Sequence, residues 1–208
     1  EDSLTFTVSD EYGVSEPATV TITVRPAIAP VTVFFDDFEE SKGWTSNNTV
    51  GDEKTAYIRW ERANPMAINM SGIKQRGVTT SGLNNLVTGY RAGPNPNDFD
   101  VDGYLSVRSP MITLPEGKIL TLTFNYYFAH DKNSSDLDFL KVQVIGATTK
   151  LVLKEIGGSI DDDAVWTKLS TNLTSFAGQS VYLLFIVKDG GVDNLVEAAI
   201  DDILIIAK

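Results

Sequence analysis

The stretch ILTLTFNYYFAH, residues 119–130, alternates apolar and polar side chains over most of its length. A period of two places successive side chains on opposite faces of an extended chain, which is the pattern of a half-buried β-strand. Thr, Phe and Tyr are also residues that strands favour. The stretch therefore predicts a β-strand with one face in a hydrophobic core.

Eight more short runs of this kind occur along the chain, separated by turn-forming clusters of Gly, Pro, Asn, Asp and Ser. No segment carries a capped helical stripe, and only a short helix or turn near residues 173–177 is expected. About nine strands without intervening helices predict an all-β fold, an antiparallel β-sandwich of the jelly-roll type. The other runs are VTVFFDDFE (31–39), TAYIRWER (55–62), YLSVRSPMI (104–112), DFLKVQVIG (138–146), KLVLKEI (150–156), WTKLSTNL (166–173), SVYLLFIVKD (180–189) and EAAIDDILIIA (197–207).

The beginning of the chain predicts a β-hairpin that precedes the sandwich. LTFTVSD (4–10) and ATVTITV (18–24) each alternate, and a loop containing Gly and Pro joins them. The next segment contains two prolines, which favour an extended and stiff connection. We therefore divide the chain into a terminal hairpin at 1–26, a linker at 27–32 and the main domain at 33–208.

The composition of the 208-residue chain limits the classes of partner that it can bind. A net charge of -11 disfavours nucleic acid, whose phosphates an acidic surface repels, and attracts divalent cations. No apolar run approaches the ~20 residues of a membrane-spanning helix, so membrane insertion is not expected. The chain has no cysteine, which excludes disulfides and thiolate metal sites. The acidic run DDD at 161–163 is expected to be a solvated turn rather than a ligand set.

The sequence carries no pattern that indicates catalysis. His130 is the one histidine, so a zinc site with several histidines is excluded, and a Ser-His-Asp triad would need that residue. The chain has no nucleophile elbow, no HExxH motif and no Gly-rich phosphate loop. We therefore predict that the domain is not an enzyme.

Three aspartates at alternate positions, Asp98, Asp100 and Asp102, precede Gly103 in the segment NPNDFDVDGY (95–104). This is the first half of the calcium-loop pattern D-x-D-x-D-G, in which carboxylates at positions 1, 3 and 5 converge on one ion. Two carboxylates ~5 Å apart repel by about 3 kcal/mol at an effective dielectric constant of ~20, so three together favour a bound cation. The pattern predicts Ca²⁺ at these three residues; the alternative is an acidic surface loop with Asx-turns.

Two resemblances to known families extend this interpretation. The segment FTVSDEYGVSEPATVTITV (6–24) resembles the last two strands of the cadherin-like or immunoglobulin-like repeats of large bacterial surface and secreted proteins. This resemblance implies that the hairpin is the end of such a repeat. Two strands alone are marginally stable in water, so the hairpin is expected to need a neighbour.

The main domain resembles MAM domains, the jelly-roll modules of meprins and receptor phosphatases. FFDDFEESKGWT (34–45), WER, YLSVRSPMI, LTLTFNYYF, LKVQV, VWTKLSTNL and EAAIDDILI follow one another in the order seen in that family. The segments LVTGYRAGPNPNDFDVDGYLSVRSP (86–110) and LVEAAIDDI (195–203) are more similar still to the MAM-like C-terminal modules of secreted bacterial metallopeptidases and related hydrolases. The animal domains carry disulfide cysteines, and this chain has none.

The resemblance to MAM-like modules and to calcium-bearing carbohydrate-binding jelly rolls also implies a cation where the first and last strands of the domain meet. Asp37 and Glu39, which alternation places on one face of the first strand, and Asp201 on the last strand are the expected ligands, with Asp202 as the alternative. A solvated strand edge whose charges deter aggregation is the other interpretation. The sequence leaves open whether these residues and the Asp98–Asp102 loop form one site or two.

These features together predict a non-catalytic, calcium-binding module of a large secreted or surface-attached bacterial protein, a monomer within a multidomain chain. As the accessory of an extracellular hydrolase, a peptidase or a glycosidase, it would bind a polysaccharide or an extracellular protein. Tyr90 and Arg91, in the Gly-bounded loop GYRAG, are the expected ligand contacts, because an exposed ring can stack on a sugar. The alternatives are a segment of an adhesin or stalk and, less favoured, a jelly-roll enzyme that acts on polysaccharides.

Overall fold

A computed structural model describes residues 1–24, 29–47, 58–91 and 99–208, and it confirms the predicted all-β fold. Within these ranges there is no α-helix, and the one helical turn is the 3-10 helix Thr174–Phe176, where a short helix or turn is predicted. None of the described segments forms a helix with the length and apolar character that crossing a membrane requires.

Two six-stranded sheets pack face to face as a sandwich. The first sheet has the order β16-β13-β18-β10-β7, with β5 also beside β18; the second has the order β15-β14-β17-β11-β6, with β12 also beside β17. In chain order the strands are β1 Asp2–Phe6, β2 Ser9–Asp10, β3 Gly13–Val14, β4 Ala18–Ile22, β5 Val31–Asp36, β6 Thr45–Asn47, β7 Trp60–Ala63, β8 Ile68–Asn69, β9 Ile73–Gln75, β10 Asn85–Thr88, β11 Gly103–Arg108, β12 Ile112–Thr113, β13 Leu120–His130, β14 Phe139–Ile145, β15 Thr149–Ile156, β16 Thr167–Asn172, β17 Ser180–Asp189 and β18 Val196–Ala207. The strand pairs are antiparallel, as predicted.

The core lies between the two sheets and follows the predicted alternation. In β13, Leu120, Leu122 and Phe124 are fully buried, whereas the residues between them are half-buried. Fully burying an apolar side chain of this size contributes about 1.5–3 kcal/mol. Trp60 is also buried, and its ring lies 6.4 Å from that of Phe185 on the opposite sheet. Contact between the inner faces of the two sheets therefore holds the sandwich together.

Each of the nine predicted runs overlaps a strand, but the sequence interpretation missed the short strands β6, β8 and β9, of two or three residues each, and the four-residue β10. All four of its residues, NLVT, are buried, because β10 lies between β7 and β18 within the first sheet and is also covered on both faces. A strand buried on both faces has no alternation of apolar and polar residues, so periodicity cannot reveal it.

The first and last strands of the sandwich are paired, as predicted: β5 lies beside β18, with Asp36 opposite Ile203. The prediction that alternation places Asp37 and Glu39 on one face is wrong, because β5 ends at Asp36. Asp36 Oδ1 accepts a hydrogen bond of 2.9 Å from Phe38 N–H, and Phe38 takes a left-handed conformation with a φ of 58°. This turn buries the Phe38 ring and ends the strand period before Glu39.

The predicted terminal hairpin is confirmed. β1 pairs with β4, from Asp2 opposite Ile22 to Phe6 opposite Ala18, and β2 pairs with β3 near the turn. All residues from 1 to 24 are exposed. Residues 25–28 lie outside the described ranges, so the division into hairpin, linker and main domain remains a prediction.

The acidic run at 161–163 is exposed, as predicted, yet it also covers a buried lysine. Lys74 has no exposed side-chain surface, and its Nζ lies 3.0 Å from Asp163 Oδ1 and 3.5 Å from Asp161 Oδ1. The same Nζ donates to the Asp162 carbonyl oxygen at 3.1 Å. The three aspartates therefore supply the counter-charge and the acceptors of a buried ammonium group.

Removing the counter-charge of Lys74 is expected to destabilise the domain. The variant Asp161→Asn/Asp163→Asn should lower the free energy of unfolding by about 2–3 kcal/mol, because a buried ammonium group without a partner is costly even when its former partners are half-exposed. Adding Lys74→Met should recover most of the lost free energy of unfolding, since it removes the buried charge. Urea denaturation tests both expectations, with Asp162→Asn as the matched control. A double variant as stable as the control would contradict the role of the pair.

Candidate functional site

Loops from both sheets meet at one end of the sandwich and bring the segment before β11 next to residues far along the chain. Gly103, at the start of β11, is opposite Asp189, at the end of β17. Val101 N–H donates to the Val196 carbonyl oxygen at 3.1 Å, at the start of β18. The predicted calcium loop therefore lies against the connection between β17 and β18.

Three aspartates from these loops converge. The carboxylate groups of Asp102, Asp189 and Asp193 each place an oxygen within 4.8 Å of the other two. Asp189 is 6% exposed, Asp102 is half-buried and Asp193 is exposed, so the group opens to solvent on one side. We call these three residues the acidic cluster.

Asp100 adds a fourth carboxylate that interacts with the acidic cluster. It is 3% exposed, and its Oδ2 atom has no hydrogen-bond partner within the part of the chain that the structure describes. Burial and then the charges of the acidic cluster, led by Asp102, raise the pKa of Asp100 to about 8. A buried carboxylate in which one oxygen lacks a hydrogen-bond partner is unfavourable as an anion unless a cation neutralises it. Asp98, the remaining predicted ligand of this loop, lies outside the described residues.

The side-chain amide of Asn194 connects Asp189 of the acidic cluster to Asp138. Its Nδ2 atom lies 3.0 Å from Asp189 Oδ1 and 3.2 Å from Asp138 Oδ2. Burial raises the pKa of Asp189 to about 8. The hydrogen bond from Asn194 N–H acts to lower this pKa, and the charge of Asp138 acts to raise it. Burial also acts to raise the pKa of Asp138, but four hydrogen bonds, led by one from Gly190 N–H, lower it overall. These hydrogen bonds favour the anionic form of Asp138, whereas burial favours the neutral form of Asp189 unless a cation lies beside it.

This donor set fits calcium. The acidic cluster supplies hard oxygen ligands from three side chains, and Ca²⁺ accepts six to eight such oxygens in irregular geometry. Asp100 and Asn194 each have a buried side-chain oxygen without a hydrogen-bond partner among the described residues. The acidic cluster can therefore contribute three carboxylates to one divalent ion, with two further buried side-chain oxygens on neighbouring residues.

Two members of the acidic cluster, Asp189 and Asp193, were missed by the sequence interpretation, which placed Asp189 only at the end of a strand. The sequence feature that could have revealed them is the segment KDGGVDN (188–194), in which two acidic residues and two glycines lie between consecutive strands. An acid-rich loop of this kind is recognisable in sequence. Its approach to Asp102 is not, since it depends on the pairing of β11 with β17.

The predicted ligands Glu39 and Asp201 are not part of the acidic cluster; instead they hold the loop that precedes β10. Glu39 Oε1 accepts hydrogen bonds from Leu83 N–H at 2.8 Å and Asn84 N–H at 2.7 Å. Asp201 Oδ2 accepts hydrogen bonds from the N–H and the hydroxyl of Thr80, both at 2.8 Å. Asp201 therefore holds the middle of this loop, and Glu39 holds its end next to β10.

These hydrogen bonds affect the two carboxylates differently. Burial raises the pKa of Asp201 to about 6, although the Thr80 donors oppose the rise. The N–H groups of Asn84 and then Leu83 lower the pKa of Glu39. The third predicted ligand, Asp37, accepts a 3.3 Å hydrogen bond from Glu39 N–H. Calcium at Asp37, Glu39 and Asp201 remains a prediction.

Replacing Asp201 with alanine is expected to lower the free energy of unfolding by about 1–2 kcal/mol, because the buried Asp201 carboxylate accepts hydrogen bonds from Thr80 N–H and Asp202 N–H, and the variant removes this acceptor. Urea denaturation at pH 5, below the pKa of about 6 that burial gives Asp201, measures the change. The matched control is Glu40→Ala, which removes one carboxylate from an exposed position. Equal stability of the two variants would show that Asp201 does not anchor the loop.

The predicted ligand contacts Tyr90 and Arg91 lie side by side. Arg91 Nε is 2.9 Å from Tyr90 Oη, and the guanidinium carbon lies 5.2 Å from the centre of the Tyr90 ring. Both residues line a groove of about 280 Å³, together with Glu61 and Phe99. Contact of these two residues with a ligand remains a prediction.

A larger groove, of about 590 Å³, lies on the second sheet. Its residues on β11 and β17 alternate with the buried Leu105, Val107 and Leu183, so they lie on the face turned away from the core. The guanidinium carbon of Arg108 is 6.0 Å from the centre of the Tyr182 ring. We call this the outer groove; it is lined by Thr45, Ser46, Tyr104, Ser106, Arg108, Tyr182 and Leu184.

Comparison with solved structures identifies proteins of the same architecture. One cleaved adhesin domain of Lys-gingipain from Porphyromonas gingivalis superposes with a TM-score of 0.51 and 16% identity, covering 86% of this chain and 99% of that domain. A second adhesin domain of the same protein gives a TM-score of 0.50 and 17% identity, with 84% and 97% coverage. The CBM22-1 xylan-binding domain of Xyn10C from Paenibacillus barcinonensis gives a TM-score of 0.47 and 14% identity, with 88% and 97% coverage.

These comparisons establish the fold. The structural similarity to the two adhesin domains confirms a β-sandwich across most of the chain. At 16% and 17% sequence identity, this similarity shows a shared fold and does not show a shared function. No protein-family model matches the sequence, and no curated protein matches it. The MAM-like and cadherin-like resemblances therefore remain predictions.

Proposed function

We propose that this chain is a non-catalytic, calcium-binding β-sandwich module that binds a polysaccharide and serves as an accessory part of a secreted or surface-attached bacterial protein. The observation that carries the calcium part is the acidic cluster beside Asp100, whose buried Oδ2 atom has no hydrogen-bond partner among the described residues. Four carboxylates in one place are tolerated when a divalent ion neutralises them.

Calcium would act by linking loops that belong to different strands. The acidic cluster joins the loop before β11 to the connection between β17 and β18, and so joins the second sheet to the first. An ion that binds the folded form better than the unfolded form raises stability by mass action. This role is structural: it stiffens one end of the sandwich and leaves the outer groove free for a ligand.

The outer groove supports the ligand-binding part of the proposal. Tyr104 and Tyr182 offer ring faces that can stack on sugars, and Thr45 adds a hydroxyl group beside them. The two Lys-gingipain domains that share the fold are adhesin domains by name, which agrees with a binding role rather than a catalytic one. An extracellular protein as the ligand, with Tyr90 and Arg91 as contacts, is the alternative.

A polysaccharide-binding assay tests the proposal. Wild-type protein should be retained on at least one polysaccharide of a plant and bacterial panel in the presence of calcium, without releasing reducing sugar. Tyr104→Ala/Tyr182→Ala should lose this retention, whereas Tyr12→Ala, which removes an 89% exposed tyrosine from the hairpin, should keep it. Absence of binding across the panel, or release of product, would overturn the proposal.

A further inference from the structure

The outer face of the second sheet is positively charged, although the chain as a whole is strongly acidic. The net charge is -11, with 28 acidic and 17 basic residues. Yet four cations, Arg108, Lys141, Lys154 and Lys188, stand on this face, one from each of four neighbouring strands. None of the four forms an ion pair with a carboxylate among the described residues, where the ion pairs involve Lys42 and Lys74.

Strand register places these cations on one face. Lys141 is opposite Ile186 on β17 and opposite Lys154 on β15, and Ile186 is opposite Ser106 of the outer groove. Residues directly opposite each other in a sheet point to the same side. The same reasoning applies to Lys188, opposite Tyr104, and to Arg108, which is itself part of the outer groove.

The carboxylates of the second sheet point elsewhere. Its strands contain two acidic residues, Glu155 on β15 and Asp189 on β17. Glu155 is opposite the buried Leu140, and its Oε1 accepts a 2.7 Å hydrogen bond from Tyr126 of the first sheet. Asp189 belongs to the acidic cluster. Every charge that the strands of this sheet present on the outer face is therefore positive.

Aromatic rings lie among the cations. Lys141 and Lys154 hold their Nζ atoms 5.5 and 5.8 Å from the centre of the Phe139 ring, and Arg108 contacts Tyr182 in the same manner. From Arg108 on β11 to Lys154 on β15 the face spans three strand spacings, about 14 Å. A row of charges of this length matches an extended polyanion better than a single small ion.

We infer that this face binds an acidic polysaccharide, one whose uronate or sulfate groups pair with the four cations while its sugar rings stack on the tyrosines of the outer groove. The inference rests on the proposed function and names its ligand class. Arginine and lysine form charge-assisted hydrogen bonds with carboxylate and sulfate oxygens, and the aromatic rings suit a pyranose ring. A single-stranded nucleic acid offers similar charges, and the oligonucleotide in the test below distinguishes it from an acidic glycan.

The test uses ligand pairs that differ only in charge. Short oligogalacturonates and their fully methyl-esterified, neutral counterparts share one backbone, and sulfated and unsulfated glycan pairs extend the comparison. Binding measured by calorimetry in calcium-saturated buffer should be at least about tenfold tighter for an acidic member than for its neutral partner, and it should weaken as salt rises. A single-stranded oligonucleotide of equal charge should not bind comparably.

Variants test whether the cations of this face cause the preference for acidic ligands. Arg108→Gln/Lys141→Gln should reduce affinity for the acidic oligosaccharide about tenfold or more and should flatten its salt dependence. Lys118→Gln/Lys168→Gln, which removes two exposed lysines outside the second sheet, is the matched control and should bind as wild type. Unchanged melting temperatures would show that the groove variant is folded.

The possible outcomes separate the two proposals. Equal affinity for charged and neutral partners, or preference for neutral ones, would overturn the inference and leave polysaccharide binding standing. Failure of every glycan to bind would overturn both. Tighter binding of the oligonucleotide than of any acidic glycan would also overturn the inference, because the face would then select charge without sugar.

Discussion

Removing calcium with EGTA is expected to lower the melting temperature by roughly 8–16 °C when compared with protein in which free calcium exceeds the dissociation constant a thousandfold. Mass action at that excess contributes about 4 kcal/mol, and each kcal/mol corresponds to about 2–4 °C for a domain of this size. The ion would bind at the acidic cluster, where the oxygens of three carboxylates lie within 4.8 Å of one another. Differential scanning calorimetry measures the shift directly.

Variants at the acidic cluster should separate metal binding from general stability. In Asp189→Asn the calcium-dependent shift should almost disappear, while the metal-free melting temperature should rise above that of wild type, because a buried carboxylate is removed from its repelling neighbours. Glu116→Gln removes an exposed carboxylate beside Gly178, before β13, and should leave both quantities unchanged. A full calcium response in Asp189→Asn, or none in wild type, would contradict the proposed site.

The metal-free protein is expected to become less stable as pH rises from about 5 to 8.5. The pKa values of Asp100 and Asp189 are raised to about 8 in the folded protein, from an ordinary value of 3.8. A group that binds its proton more tightly when folded contributes stability that is complete below its unfolded pKa and is lost as pH passes its folded pKa. The two groups interact, so we expect a combined loss on the order of 3–5 kcal/mol rather than the sum of two independent shifts.

Calcium should offset this pH dependence. The ion requires deprotonated ligands and therefore competes with protons, so the calcium-dependent rise in melting temperature should grow between pH 5.5 and 8. Carboxylates with lowered pKa, such as Asp138, lose their stabilising effect only at lower pH and do not obscure this window. The variant Asp100→Asn/Asp189→Asn should lose less stability than wild type over this range, and burial of Asp201 and Glu197, which raises the pKa of both, accounts for the loss that remains. A wild-type profile in EGTA that is flat or rises with pH would contradict the buried, unneutralised state of these aspartates.

Much of the fold was predictable because it depends on short-range patterns. Runs such as 119–130 alternate, and the resulting strand β13 buries one face as expected. The same method missed β10, whose four buried residues have no polar face, and it carried the alternation of β5 too far, into the turn that Asp36 and Phe38 form. Both errors arise where burial or a hydrogen-bonded turn overrides the period of two.

What the sequence alone determined was the all-β class, the terminal hairpin, the absence of cysteine chemistry and the acidic loop around Asp100 and Asp102, because each is written in neighbouring residues. Only the tertiary structure decided which distant residues join that loop. The pairing of β11 with β17 brings Asp189 and Asp193 to Asp102, and the register across four strands collects the cations of the outer face. Long-range antiparallel pairing sets both arrangements, and no local spacing encodes which strands become neighbours.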